Sequence, residues 1–167
     1  MWQEIWNTVL LEFSDIPDAT QATLITLRLL ISATLGGLLG YEREMKGKAA
    51  GLRTHMLVAL GATLFILIPQ QTGASTTDLA RVLQGLIAGV GFLGAGTIIM
   101  GNQPKEVKGL TTAAGIWLTA AIGVAVGIGR EATAVLSTLL ALAILSLVPM
   151  VERFFESRGK KNGSEPE

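Results

Sequence analysis

Residues 82–100 read VLQGLIAGVGFLGAGTIIM and contain no charged side chain. A helix needs roughly 20 mostly apolar residues to cross the hydrocarbon core of a bilayer, and this stretch has about that length. Gly89, Gly91 and Gly94 also match the G-x-G-x-x-G pattern of dinucleotide-binding loops, which requires a preceding strand and an acidic residue about 20 positions later. The glycines lie inside an apolar run instead, and the next acid, Glu106, follows a polar turn. We therefore predict a membrane-spanning helix here and no nucleotide site.

The composition is typical of a membrane protein. Of the 167 residues, 50% are hydrophobic and 16% are charged, and the mean hydropathy is +0.52. The formal net charge is +0, so no overall field attracts nucleic acid. Cysteine is absent and His55 is the single histidine, which excludes cysteine metal sites and a metal site made of several histidines of one chain. We expect no cofactor.

Apolar runs that approach a full membrane crossing occur five times, which predicts an all-α, polytopic membrane protein with a single membrane domain. They cover residues 22–41, 54–69, 82–100, 110–128 and 132–150. The second run is the shortest and the fourth is the richest in alanine and glycine. Four spans plus one re-entrant segment is therefore the alternative.

The segments that flank the predicted membrane domain, residues 21–151, differ from it in composition. Residues 1–20 place tryptophan and aliphatic side chains at helical spacing, which predicts an amphipathic helix lying at the membrane interface. Residues 152–167 are predicted to form a charged cytoplasmic tail. Its end, GKKNGSEPE at 159–167, is polar and is predicted to be disordered.

Lysine and arginine are distributed unevenly among the connections. The first and third connections and the tail hold most of them: Arg43, Lys46, Lys48, Arg53, Lys105, Lys108, Arg153, Arg158, Lys160 and Lys161. The second and fourth connections hold only Arg81 and Arg130. Because positive residues concentrate on the cytoplasmic side, we predict an outside N-terminus and a cytoplasmic C-terminus, which requires an odd number of spans.

Small residues recur at spacings that suit close helix packing in lipid. We predict that they bring the helices together; the alternative is that the glycines of the third span let that helix open toward an ion path. The residues assigned to packing or to a pore are Gly36, Gly40, Gly85, Gly89, Gly91, Phe92, Gly94, Gly96, Gly109, Trp117 and Gly123. A faint internal repeat, Gly51-Leu52-x-Thr54 and Gly109-Leu110-x-Thr112, opens the second and fourth spans.

Polar residues near the outer face are candidate functional groups. Arg28 lies about 9 Å inside the first span, at 1.5 Å per helical residue. Asp78, Arg81 and Gln84 share one face at the start of the third span. We predict an outer cluster in which Asp78 offsets Arg81 or Arg28. The alternative is a salt bridge that only anchors the helix.

A second polar group lies at the inner face, where we predict a docking or regulatory patch, with a merely solvated surface as the alternative. It comprises Glu42, Arg43, Glu44, Arg53 and His55. Thr54, with Thr111 or Thr112, is predicted to cap helix starts at the same surface. No catalytic site is predicted, because His55 has no nucleophile-elbow, zincin or P-loop pattern near it. No magnesium site within one chain is predicted, because the acids of the two faces are separated by the membrane.

Three stretches together resemble the MgtC/SapB family of bacterial membrane proteins. The first consists of GYERE at 40–44, AGLRT at 50–54 and LVALGATLF at 57–65. The second is Arg81-x-x-Gln84 followed by GVGFLGAG at 89–96, and the third is VKGLTTAA at 107–114 with Trp117 and AAIG at 120–123. These stretches extend in order over the first four spans. Thr111 stands where some members have asparagine, and the chain resembles a short form without the soluble C-terminal domain of longer members.

The resemblance implies a multi-pass protein of the bacterial plasma (inner) membrane that is tied to growth under magnesium limitation and, in pathogens, to survival inside macrophages. It implies a homo-oligomeric, non-catalytic regulator of other membrane machinery, such as ATP synthase or transporters. The alternative function is a small oligomeric ion channel or transporter with a path along the glycine-rich third span. Catalytic, cofactor and metal sites are not expected.

Overall fold

The computed structural model describes residues 1–14, 18–100 and 107–162. Its elements are α1 (Trp2–Glu12), α2 (Ala19–Met45), α3 (Leu52–Gln71), α4 (Thr76–Gly96), β1 (Ile99–Met100), β2 (Val107–Lys108), α5 (Leu110–Ile128) and α6 (Glu131–Asn162). Five helices, α2 to α6, are long and apolar enough to cross a membrane. The prediction of an all-α protein with five spans is confirmed. α3 and α5, the spans for which a re-entrant alternative was open, are continuous helices of 20 and 19 residues.

The third span begins and ends earlier than the predicted range 82–100. A capping box starts α4: Ser75 Oγ accepts the backbone N–H of Asp78 at 3.2 Å, and Asp78 Oδ2 accepts the N–H of Ser75 at 3.1 Å. The helix ends at Gly96, after which β1 pairs antiparallel with β2. Hydropathy alone misplaces this span, because its first turns are polar and are held by the cap.

The two terminal segments are helical. α1 confirms the predicted short helix and has no buried residue; its position at the membrane interface stays a prediction. α6 continues to Asn162, so residues 159–162, which were predicted to be disordered, belong to a helix. Residues 163–167 of the predicted tail lie outside the described residues.

α3 and α5 form the centre of the bundle, with α2 packed on both and α6 packed on α2 and α5. Ala59 of α3 is fully buried at this centre. A Cβ on Gly36 of α2 would lie 2.8 Å from the Cβ of Ala59, and one on Gly123 of α5 would lie 2.9 Å from the Cβ of Ala62. Both contacts are too short for real Cβ atoms, so glycine is required. The predicted small-residue packing is confirmed here and at Gly40, where α2 meets the start of α3.

α4 lies at the edge of the bundle and packs mainly on α5. Among its residues only Val90 and Gly94 are buried, and Gly94 contacts Ala113 of α5. The other four glycines have open space where a Cβ would be: Gly85, Gly89, Gly91 and Gly96. They lie on the outward side of the helix and contact no other helix of this chain, so their role in bringing helices together stays a prediction. α4 remains α-helical through all of them, so the predicted opening is not found in it.

The starts of α3 and α5 are alike, as the faint repeat predicts. Both helices begin after a glycine N-cap, Gly51 and Gly109, and neither N-cap residue has a side chain that could cap the helix. The prediction that threonines cap these helices is therefore wrong: Thr54 is exposed and Thr112 is buried inside α5. Gly109 has a φ of +95°, and a Cβ there would collide with the preceding segment. It serves a turn and not a helix contact.

Candidate functional site

Polar side chains are buried along the contacts between the central helices. They are Ser32 and Arg43 of α2, His55 and Thr63 of α3, and Thr119 of α5, each at most 3% exposed. We call these five residues the buried polar row. A buried polar group without a hydrogen bond costs roughly 1–3 kcal/mol. The partners of each residue therefore indicate which members are structural and which remain available.

Only one of the two ring nitrogens of His55 has a hydrogen-bond partner among the described residues. Its Nδ1 lies 2.7 Å from the hydroxyl of Thr119, and that hydroxyl donates its single proton to the carbonyl oxygen of Gly115 at 2.9 Å. His55 Nδ1 therefore carries the ring proton and donates to Thr119, which leaves Nε2 as an acceptor. Nε2 is buried and has no hydrogen-bond partner among the described residues. His55 also lines an apolar pocket of about 170 Å³ with Leu39 and Leu118.

Thr63 and Ser32 link three helices. Thr63 Oγ1 lies 2.7 Å from Ser32 Oγ, 2.8 Å from the carbonyl oxygen of Gly123 and 3.0 Å from that of Ala59. With one proton each, Ser32 can donate to Thr63 while Thr63 donates to a carbonyl, so both hydroxyls are satisfied. This part of the row is structural: it locks α2, α3 and α5 together deep in the apolar interior.

A charged group lies at the end of the row nearest the connection between α2 and α3. Arg43 Nη1 lies 3.7 Å from Glu42 Oε2, and Lys46 Nζ lies 2.5 Å from Glu42 Oε1. The Glu42 oxygens therefore have ion-pair partners, although neither receives a well-directed hydrogen bond. The Nε and Nη2 atoms of Arg43 are buried and have no acceptor among the described residues. Arg43 is thus a buried cation with one edge of its guanidinium unused.

The predicted inner patch is divided by the fold. Arg53 is exposed, as a surface patch requires. Glu42, Arg43 and His55 are not exposed, so the prediction of one surface patch is wrong for them: α2 extends to Met45 and carries the two charges inward. Glu44 has a local role, because its Oε2 accepts the backbone N–H of Leu52 at 2.8 Å. It supplies the cap that Thr54 was predicted to give to α3.

Lys46 has a partner that the sequence analysis missed. Its Nζ donates to the carbonyl oxygen of Leu145 at 2.6 Å. Pro149 lies four residues later in α6 and has no N–H, so that carbonyl has no donor within its own helix. Lys46 replaces the missing donor and ties α2 to α6. The spacing of a leucine and a proline by four inside an apolar run is the signal that could have indicated a free carbonyl.

At the opposite end of the bundle, Arg28 pairs with a residue that was not predicted. Arg28 Nε lies 3.5 Å from Glu131 Oε1, and Nη1 donates to the carbonyl oxygen of Gly127 at 3.0 Å. Asp78 is instead bound to Ser75 in the capping box. The prediction that Asp78 offsets Arg28 is wrong, because α6 and not α4 lies beside this part of α2. Arg81 and Gln84 are exposed on α4.

We expect Arg28→Leu to lower the free energy of unfolding by about 1 kcal/mol, since it removes a partly exposed ion pair and one hydrogen bond. Reversible unfolding of the purified protein in mixed micelles measures the change. Arg81→Leu is the matched control, because Arg81 is exposed on α4. Equal stability of both variants would show that the contact between Arg28 and Glu131 does not hold α6 in place.

No group of three or more His, Asp or Glu side chains that could hold a metal ion occurs within residues 1–14, 18–100 and 107–162. The polar groups that the structure does bring together are hydroxyls, one imidazole, and ion pairs at the two ends. The sequence analysis did not single out Ser32, Thr63, Thr119 or Glu131. For the first three, the sequence signal is a hydroxyl residue inside an apolar span, and many such residues face lipid; for Glu131 it is an acid at the start of a span.

Comparison with known proteins agrees with this architecture. The chain is 39% identical over 128 residues to "Putative magnesium transporter YhiD" of Escherichia coli (strain K12), covering 72% of this chain and 59% of that protein. It is 40% identical over 141 residues to "Protein SrpB" of Synechococcus elongatus, covering 77% of each. It is 42% identical over 116 residues to "Protein MgtC" of Salmonella typhimurium, covering 70% of this chain and 48% of that protein.

The match therefore spans about three fifths of YhiD and about half of MgtC. No solved structure matches the chain. The model of the MgtC family matches residues 29–154, which include α2 from residue 29 onward, α3 to α5 and the spanning part of α6. From the described fold and this match, the chain belongs to the MgtC family.

Proposed function

We propose that the protein is a non-catalytic regulator in the bacterial plasma membrane, tied to magnesium homeostasis, which acts by binding a transmembrane helix of another membrane protein. The observation that carries the proposal is the uncovered face of α4. In lipid, helices associate through close backbone approach, and glycines on an open face permit that approach. The names of the relatives supply the link to magnesium.

The uncovered face of α4 has the shape and composition that suit the packing of another helix. Gly85 and Gly89 have no neighbour where a Cβ would be, and Phe92, one turn further along, is 81% exposed. The side chains of Asp78 and Arg81 extend the same face toward the outer end. A groove of about 530 Å³ runs beside it, lined by the two glycines and by Phe65 of α3. The glycines allow the backbone of a partner helix to approach closely, and the projecting Phe92 ring fixes the position of that helix along α4.

The orientation predicted from the positive residues fits the same proposal. With an outside N-terminus, the basic connection between α2 and α3 lies in the cytoplasm, and the pair of Arg28 and Glu131 lies near the outer face. The open face of α4 then crosses the whole bilayer, and its charged end is outermost. A partner helix with an opposite charge pattern at its outer end fits this arrangement best.

A second candidate, transport of an ion, is favoured by the buried polar row. The hydroxyls of Ser32, Thr63 and Thr119 supply oxygen atoms inside the membrane, and one relative is named as a magnesium transporter. The positions of two arginines argue against transport of a cation. Arg28 and Arg43 lie toward the two ends of the row, where their charges would repel it. Proteoliposomes that contain the protein alone and a magnesium-sensitive dye separate the candidates. Flux that Thr63→Val reduces would favour transport and contradict the regulator.

We expect a photo-reactive benzophenone side chain at position 92 to crosslink to a discrete partner protein in native membranes. Position 136 of α6 is the matched control, because Leu136 is also well exposed but lies away from the glycine face. Mass spectrometry of the crosslinked bands identifies the partner. Crosslinks from position 92 to lipid alone, or to a second copy of this chain alone, would overturn the docking role.

A further inference from the structure

A basic pocket lies where α2, α5 and α6 meet at the end of the bundle that holds the connection between α2 and α3. It has a volume of about 460 Å³. Arg43, Lys46 and Lys48 line one side, and none of the described residues that line it is acidic. The proposed function does not use this pocket, because it opens between α2 and α6, whereas the open face of α4 is elsewhere on the bundle.

The cations of the pocket are only partly neutralised. Glu42 accepts ion pairs from Arg43 Nη1 and Lys46 Nζ, but its single charge faces two cations. Glu44, a second acid of this region, accepts the backbone N–H of Leu52, and no ion pair of Glu44 with the pocket cations is found among the described residues. Lys48 is exposed at the mouth. The pocket therefore retains an excess of positive charge.

Arg43 is a second, independent observation, because it has hydrogen-bond donors that no described residue uses. It lines the pocket, is 3% exposed, and has no acceptor among the described residues for the N–H groups of Nε and Nη2. That edge of a guanidinium is the one that pairs side-on with two oxygens of a phosphate or carboxylate. A buried arginine normally has such a partner, because its unmatched N–H groups are costly.

The opposite wall of the pocket is apolar. Ile144, Val148 and Pro149 of α6 line it, and all three belong to the membrane-spanning part of that helix. Ile144 also lines the apolar pocket of about 170 Å³ that reaches His55, so the two pockets adjoin. A small soluble anion gains nothing from contact with an apolar wall. A phospholipid has both a phosphate for the cations and acyl chains for this wall.

We infer that this pocket binds the phosphate headgroup of an anionic phospholipid from the adjacent leaflet. The phosphate lies against Arg43 and Lys48, and an acyl chain follows the apolar wall of α6. Basic pockets between membrane helices on the cytoplasmic side are known lipid sites. Lys46 is held by Glu42 and by the Leu145 carbonyl, so it shapes the pocket more than it grips the ligand.

The test uses the full chain in dodecylmaltoside micelles and follows its thermal unfolding while dioleoylphosphatidylglycerol is added. Dioleoylphosphatidylcholine carries the same acyl chains without net charge, and sodium phosphate carries the anion without chains. We expect stabilisation by phosphatidylglycerol alone. We expect Lys48→Gln to weaken the apparent affinity about five-fold, and Arg53→Gln, which removes an exposed charge outside the pocket, to leave it unchanged.

Because Lys48 is exposed, we expect Lys48→Gln to fold like the parent protein, so a change in lipid affinity reports on the pocket. Arg43→Gln is a second variant, in which we expect lipid binding to be lost altogether. Equal stabilisation by phosphatidylcholine would overturn the proposal. Stabilisation by sodium phosphate alone would replace the lipid by a soluble anion and also overturn it. The same affinity loss in Lys48→Gln and Arg53→Gln would show general surface attraction and no pocket.

Discussion

Gly123→Val is expected to lower the free energy of unfolding by about 3 kcal/mol or more. A Cβ at this position meets the Ala59 carbonyl oxygen and, at 2.9 Å, the Cβ of Ala62. Valine therefore has to push α5 away from α3 along its backbone. The same displacement breaks the hydrogen bond of 2.8 Å between the Thr63 hydroxyl and the Gly123 carbonyl. Titration with sodium dodecyl sulfate in mixed micelles, monitored by tryptophan fluorescence, measures the change.

Gly89→Val is the matched control for this prediction. It adds the same side chain to a glycine in a spanning helix, but nothing lies within 4 Å of its Cβ. We expect its unfolding free energy to stay within about 0.5 kcal/mol of the parent value, as for surface positions in general. Its crosslinking from position 92 is expected to fall, because a valine blocks close helix approach. Equal destabilisation by both substitutions would contradict the assignment of α3 and α5 as the packing centre.

The contrast between these two glycines shows what the sequence could predict. Hydropathy and span length predicted five membrane helices because both depend only on local composition. The contacts could not be assigned in the same way: in lipid the outward and inward faces of a helix are both apolar, so the periodicity that marks a buried face in water is absent. Gly123 and Gly89 both lie inside apolar runs and both precede a valine, and only the three-dimensional arrangement separates them.

The partners of the charged residues could not be predicted for the same reason: they depend on which helices are neighbours. Two acids, Asp78 and Glu131, lie in the first turns of α4 and α6, and from the sequence either could neutralise Arg28. The choice depends on which helix is adjacent to α2, and that order is not encoded in charge spacing. At the inner end, Glu42 and Arg43 were assigned to a surface connection because charges normally mark one. The structure extends α2 by four residues past the predicted end at Tyr41, to Met45, and carries them into the bundle.

Arg43→Met is expected to cost about 3–5 kcal/mol of unfolding free energy, because it leaves the Glu42 carboxylate in a largely buried position with Lys46 as its one remaining cation. Glu42 is 12% exposed, so water can replace only part of the lost interaction. The same micellar unfolding measures the loss. Arg53→Met removes an exposed arginine from the start of α3 and is expected to be close to neutral.

A double variant decides whether the cost comes from the charge left behind. In Arg43→Met combined with Glu42→Gln, no uncompensated carboxylate remains, so most of the lost stability is expected to return. Lys46 keeps its hydrogen bond to the Leu145 carbonyl in every variant, which holds α2 against α6 and keeps the comparison local. If the double variant were as unstable as Arg43→Met, the arginine would act through packing of its aliphatic stem and not through its charge. If Arg43→Met were as stable as Arg53→Met, water would replace Arg43 as the partner of Glu42 at no cost. That result would contradict a buried, stabilising ion pair between Arg43 and Glu42.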